Sequence, residues 1–284
     1  MSPRRSLYAA ALCMMVSCVT CLGQNPATFT TVTSNSGATP ATIYTADVNN
    51  DGLSDIIQTT LSAPIEFTVS LAKGNGAFGP PQAYPFPSGL AASPSIAFAD
   101  FNGDGKVDIV APIVAKNEIA LYLGNGNGTF QAAKLITGVL PSGYTFQNTV
   151  PVPADYNHDG KIDLVAIAVQ SSGVYSAVVL EGNGAGSFTY KGDIYNAASS
   201  FMISTPVTGD FDADNNADVA FVTSEYCDNG AAICDGAVRV LYGNGNFGFT
   251  DTTPYTSTDG LSLASGDLNG DGRTDLFAEN GTTA

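Results

Sequence analysis

From residue 95 the chain passes through four short apolar runs divided by polar ones. "SIAFAD" (95–100) leads into a polar loop, "VDIVAPIV" (107–114) leaves it, and "EIALYLG" (118–124) follows. An Asn-Gly turn then opens "TFQAAKLIT" (129–137). Runs this short, rich in β-branched and aromatic residues and punctuated by Gly and Asn, predict strands. Asn-Gly between such runs predicts hairpins, because both residues tolerate positive φ. No stretch carries helical periodicity, and Gly and Pro recur too often for helices.

The polar loop recurs. "ADVNNDGLSDII" begins at Ala46, "ADFNGDGKVDIV" at Ala99, "ADYNHDGKIDLV" at Ala154, "GDFDADNNADVA" at Gly209 and "GDLNGDGRTDLF" at Gly266. The steps between their first aspartates are 53, 55, 55 and 57 residues. The Asn-Gly motif recurs in phase with them, as "LAKGNGAFG" from Leu71, "LYLGNGNGTF" from Leu121, "LEGNGAGSF" from Leu180 and "LYGNGNFGF" from Leu241. Repeats of this period imply a solenoid, propeller or array. Four short antiparallel strands per repeat imply the blades of a β-propeller. The expected fold is therefore all-β, with repeats starting near 41, 95, 150, 204 and 261 within residues 24–284.

Composition refines this picture. Of 284 residues, 44% are apolar and 13% charged, enough to build a core from a sparsely charged, Gly-rich chain. Residues 1–23 pair Arg4 and Arg5 with an apolar stretch and read as a secretory signal, too short for a membrane span. A lipoprotein anchored at Cys18 or Cys21 is the alternative. The chain is thus expected to be secreted or at the cell surface, with no membrane span. Without the signal it holds 8 basic and 26 acidic residues, a net charge of −18. That charge excludes nucleic acid as a partner and attracts cations. Cys227 and Cys234 remain, and in an oxidising compartment they are expected to close a local disulfide. In the chain-entropy model so short a loop contributes about 2.5 kcal/mol.

Sixteen of the 26 acids lie in the five loops. Carboxylates crowded this closely repel unless a cation sits among them. Each loop fits D-x-[DN]-x-D-[GN]-x-x-D, a set of hard oxygen ligands of the kind calcium takes. The expected ligands are Asp47, Asn49, Asp51 and Asp55; Asp100, Asn102, Asp104 and Asp108; and Asp155, Asn157, Asp159 and Asp163. The last two loops offer Asp210, Asp212, Asp214 and Asp218, and Asp267, Asn269, Asp271 and Asp275. A backbone carbonyl at position seven, Lys106 in the second copy, completes each set. Up to five calcium ions follow, and they would bring the charge from −18 to −8. An EF-hand is excluded. It needs a Glu at position twelve, where this chain has Gln58, Ala111, Ala166, Phe221 and Ala278.

The nine-residue loop between strands, followed by L-x-x-G-N-G-x-G-x-F, resembles the FG-GAP repeat, also called the VCBS repeat. "FGPP" from Phe78 is close to the sequence behind the first name. The resemblance covers roughly residues 40 to 284. It implies a calcium-bearing β-propeller like that of integrin α subunits, usually with seven blades. The sequence stops after the second strand of the fifth copy, so the expectation is an incomplete propeller, a fragment of a longer one, with a short propeller that closes irregularly or pairing between molecules as the alternatives. "TFTTVTS" (28–34) is one segment that could close it.

Catalysis is not expected. The only histidine, His158, sits at position four of the third loop and should face solvent. No nucleophile–base pair is legible. Lys106, Lys161 and Arg273 are expected to look outward from the loops. Tyr84, Tyr144, Tyr195, Tyr226 and Tyr255 are candidate contact residues, though most tyrosines should pack in the core. The expected function is adhesion or the binding of an extracellular glycan or protein, with structural calcium. The alternatives are a non-catalytic module of a polysaccharide-degrading enzyme and an architectural segment of a larger surface protein.

Overall fold

The computed structural model describes residues 40–60, 64–74, 76–88, 94–114, 116–198, 201–225, 236–257 and 261–280. The chain divides into Met1–Thr33 and Ser34–Ala284, and every described residue belongs to the second unit. The expected signal, the 28–34 segment, Tyr226 and both Cys227 and Cys234 lie outside the described residues.

The described chain is all strand and turn. The first sheet is β1 (Pro40–Ala46), β2 (Asp55–Thr60), β3 (Glu66–Ser70) and β4 (Gln82–Pro85), paired in that order. The second is β5 (Ala97–Ala99), β6 (Asp108–Pro112), β7 (Glu118–Tyr122) and β8 (Lys134–Thr137). In the third, β9 (Tyr144–Phe146) and β10 (Val152–Ala154) both pair with β11 (Asp163–Gln170), followed by β12 (Tyr175–Gly182) and β13 (Phe188–Asn196). The fourth repeats that plan. There β14 (Phe201–Ile203) and β15 (Val207–Gly209) pair with β16 (Asp218–Glu225), then come β17 (Gly236–Gly243) and β18 (Phe249–Ser257). The fifth is the pair β19 (Leu261–Gly266) and β20 (Asp275–Asn280). All pairings are antiparallel. These are the blades of a β-propeller.

The sequence placed the fourth strand of the second copy at 129–137, and only Lys134–Thr137 forms it. Residues 129–133 close the turn instead. Phe130 bridges back to Gly124 and buries its ring against the core. The bridge closes the turn, which explains why the motif couples this position to a Phe six positions on. The same pairing joins Ala72 to Phe78, Gly182 to Phe188 and Gly243 to Phe249.

The core lies in the seams between sheets. Ile57, Phe67, Val69 and Tyr84 of the first sheet pack on Ile96, Ile109, Ala111 and Tyr122 of the second. Val110, Ile119 and Leu121 face the other way, onto Phe146, Leu164 and Val178. The middle strands are therefore buried on both faces, as in the unbroken buried pattern of β6. Hence they read as continuous apolar runs and not as alternation. Each wholly buried Ile or Phe contributes roughly 1.5–3 kcal/mol. Phe67 sits at the centre of an aromatic group, 5.0 Å from the rings of both Tyr84 and Tyr122. Tyr84 is thus a core residue and not a contact residue.

Candidate metal centres

Each aspartate loop joins the first strand of a sheet to its second. The residue before each loop pairs with the residue that closes it: Ala46 with Asp55, Ala99 with Asp108, Ala154 with Asp163, Gly209 with Asp218 and Gly266 with Asp275. Nine residues must therefore turn back within the width of one strand pair. They do so through two left-handed residues. Position six is Gly52, Gly105, Gly160, Asn215 and Gly272, at φ from 67° to 84°. Position four is also left-handed, which the sequence reading missed. It is held by Asn50, Gly103, His158, Ala213 and Gly270. Only two of these are glycine, so composition gave little warning.

The acidic side chains organise the loop's own amides. Asp100 accepts N–H bonds from Gly103, Asp104 and Gly105 at 2.7–3.1 Å. Asn102 accepts from Asp104 N–H at 2.9 Å, and Asp104 from Lys106 N–H at 3.0 Å. The same pattern holds around Asp47, Asn49 and Asp51, and around Asp155, Asn157 and Asp159. It holds again around Asp210, Asp212 and Asp214, and around Asp267, Asn269 and Asp271. Lys106 and Lys161 do not look outward. Their ammonium groups fold back onto Asp104 and Asp159 at 3.1 and 2.9 Å. A short-range attraction within an acid-rich loop outweighs the solvation of a free tip. For Asp159 this pairing is the main cause that holds its carboxyl below the usual carboxylate range. At Asp47 burial pushes upward, but N–H bonds from Gly52 and Asp51 win and lower it.

Position nine differs from the rest. Asp55, Asp108, Asp163 and Asp218 are wholly buried. Each accepts one N–H from loop position two and one from the entry to the Asn-Gly turn. Asp108 takes Phe101 at 3.1 Å and Gly124 at 2.8 Å. Asp163 takes Tyr156 and Gly182, Asp218 takes Phe211 and Gly243, and Asp55 takes Val48 and Ala72. Asp275 takes Leu268 at 2.9 Å. In the first four sheets this carboxylate ties the loop to the third strand. Its oxygens keep further lone pairs. Burial pushes Asp108 and Asp218 up, and pushes Asp163 up to about 6, with the two N–H bonds opposing it.

The glycine that donates to this carboxylate has no room for a side chain. A Cβ on Gly124, Gly182 or Gly243 would lie 2.0–2.3 Å from the carbonyl oxygen of loop position eight. The turn also latches neighbouring sheets together. Gly128, Gly186 and Phe247 donate N–H bonds to the position-two carbonyls of Val48, Phe101 and Tyr156, one sheet earlier, at 3.2, 3.0 and 3.3 Å. Position two thus gives its N–H to its own sheet and its carbonyl to the next, which is why the two motifs stay in phase.

In the fourth loop, carboxylate oxygens of Asp210, Asp212 and Asp218 lie within 4.8 Å of one another. An open depression of about 400 Å³ joins the third and fourth loops, lined by Asp155, His158, Thr208, Asp210, Asn215 and Asn216. His158 is exposed.

Models of the FG-GAP-like repeat match residues 66–111, 113–166, 155–221 and 230–278. The T-cell immunomodulatory protein of Mus musculus is 30% identical over 145 residues, and that of Rattus norvegicus 32% over 146. Each alignment takes in 45% of this chain and 24% of the relative, so the matched region spans about a quarter of those proteins. Among solved structures, an Agrocybe aegerita lectin that recognises non-reducing terminal N-acetylglucosamine superposes with a TM-score of 0.54 at 21% identity. The match covers 84% of this chain and 60% of the lectin, and it shows the shared fold.

Proposed function

Because the chain belongs to the FG-GAP-like repeat family, we propose that it is a secreted or cell-surface, calcium-stabilised β-propeller module that binds an extracellular glycan or protein and catalyses nothing. The convergence of the Asp210, Asp212 and Asp218 carboxylates carries the calcium reading. Every side-chain donor in the set is an oxygen, the hard ligand that calcium takes. Asp or Asn at loop positions one, three, five and nine would hold the ion, with the position-seven carbonyl. Calcium bound there supplies charge neutralisation. The chain's own residues do the rest. The position-nine aspartate fixes the loop to its sheet, and the Asn-Gly turn fixes the sheet to its neighbour.

The fold shared with the N-acetylglucosamine lectin supports a binding role and is the reason to try a glycan first.

Thermal melts in excess chelator and in millimolar calcium test the metal reading. With a dissociation constant of about 0.1–1 mM at each site, each ion adds roughly 0.4–1.4 kcal/mol. Five sites shift the melting temperature by roughly 5–15 °C. Coincident melts would remove calcium from the reading. A glycan and matrix-protein array in calcium tests the binding role, and an array without a calcium-dependent hit would remove it.

A further inference from the structure

The loops and latches are common to the repeats, so the features that break the repeat are where ligand specificity can reside. One such feature lies on the third sheet, running from Tyr144 and Gln170 at the end away from the aspartate loop to Asp193 and Tyr190 nearer to it. Tyr144 of β9 and Tyr190 of β13 donate their hydroxyls to the two oxygens of Asp193, at 2.9 and 2.7 Å. Their rings lie 6.2 Å apart. The Gln170 amide donates to Asn196 and Ser176, each at 3.0 Å, and reaches Asp193 at 3.5 Å. Ser176 in turn donates to Asn196 at 2.6 Å.

Among the described residues, the first two sheets build nothing similar at this place, and the fourth has Arg239 there, ion-paired with Asp251 at 3.1 Å, where the third has a carboxylate with no ion pair. Counted from the position-nine aspartate, the residue three further on leads across the sheet to Val178 and Asp193. The same path leads to Thr68 and Ala83 in the first sheet, and to Ala120 and Leu135 in the second. A packing role is met there by small or apolar side chains. The third sheet spends a carboxylate instead.

The group is also reachable. Tyr144, Tyr190, Asp193 and Gln170 are half-buried, Asn196 is exposed, and the adjoining tip at Ser171, Ser172 and Gly173 is small and exposed. Among the described residues no lysine or arginine pairs with Asp193. The tyrosine hydroxyls spend their protons inward on Asp193, and burial, then that carboxylate, keeps both phenols protonated. What remains is a surplus of acceptors, on Asp193, on both phenol oxygens and on the Gln170 carbonyl, beside two aromatic rings. A ligand that suits it offers several hydroxyl donors and an apolar C–H face. That is a saccharide.

We infer that Tyr144, Gln170, Tyr190, Asp193 and Asn196 form a saccharide-binding site on the third blade. The inference rests on the glycan branch of the proposed function and locates it. The test titrates the full chain, in calcium, with N-acetylglucosamine, chitotriose, cellotriose and lactose, following heat and tyrosine ring signals. Binding of at least one sugar is expected, with shifts confined to the Tyr144 and Tyr190 rings. Asp193→Asn weakens that binding by about tenfold or more while the calcium-dependent melt is retained. Tyr144→Phe, which deletes one hydroxyl and keeps the ring, weakens it by a few fold and serves where Asp193→Asn misfolds. Sugar binding that both variants leave intact overturns this site but not the glycan reading. No sugar bound by the unaltered protein, or a peptide bound in place of sugars, overturns both.

Discussion

Asp104 and Asp108 sit in the same loop, four residues apart, yet should behave oppositely when calcium is removed. Asp108 is wholly buried and accepts N–H bonds from Phe101 and Gly124. Asp108→Ala leaves two buried donors without partners, at about 1–3 kcal/mol each, so the loss is roughly 2–6 kcal/mol. Asp108→Asn keeps one acceptor oxygen and turns an amide toward the other donor, for roughly half that loss. Asp104 is a third exposed, and its bonds are to Lys106. Asp104→Asn removes a surface ion pair, which is about 0–1 kcal/mol, and relieves crowding among the loop's acids. Urea melts followed by far-ultraviolet circular dichroism, in chelator and in millimolar calcium, separate the two. In chelator, Asp104→Asn should match the parent and both Asp108 variants should fall below it. In calcium, Asp104→Asn should also lose that site's share, roughly 0.4–1.4 kcal/mol. If Asp108→Ala is as stable as the parent in chelator, the buried carboxylate is not the tie between loop and third strand, and the reasoning fails.

Three further outcomes are expected. In chelator, stability should fall as pH rises from about 4 to 6. Asp163 is pushed up to about 6, first by burial and then by its acidic neighbours, so the folded chain holds its proton longer than the unfolded chain does. The carboxyls held low, such as Asp47 and Asp159, act only below that window. Calcium should flatten the fall, and equal melts at pH 4.5 and 7 in chelator would contradict this. Gly182→Ala should cost roughly 1–3 kcal/mol or more, because its Cβ would meet the Ile162 carbonyl at 2.0 Å, whereas Gly192→Ala meets nothing within 4 Å and should be neutral in the same melts. Ala213→Gly should stabilise by roughly 0.5–1 kcal/mol, since Ala213 holds a φ of 66° that a glycine adopts freely. An unchanged or lower melting point would mean the fourth loop carries no such strain.

The chain itself determined the repeat, its short strands and its hairpin turns, because each depends on local order; the fifth strand of the third and fourth sheets it did not show. Aspartates at fixed spacing, Asn-Gly pairs and short apolar runs are legible along one strand. The family match and the five-sheet model agree with that reading. What lay beyond it depends on contacts between segments far apart in sequence. The sequence makes Asp104 and Asp108 look alike, and only the third strand, bringing Gly124 N–H to 2.8 Å, sets them apart. The left-handed position four is filled by Asn, Gly, His and Ala, because its conformation is imposed by closing the loop onto a strand pair and not by residue preference. Tyr144 and Asp193 are 49 residues apart in the chain and meet at 2.9 Å. Such pairs leave no periodic trace, because the joining of β9 and β13 to one sheet is what makes them neighbours.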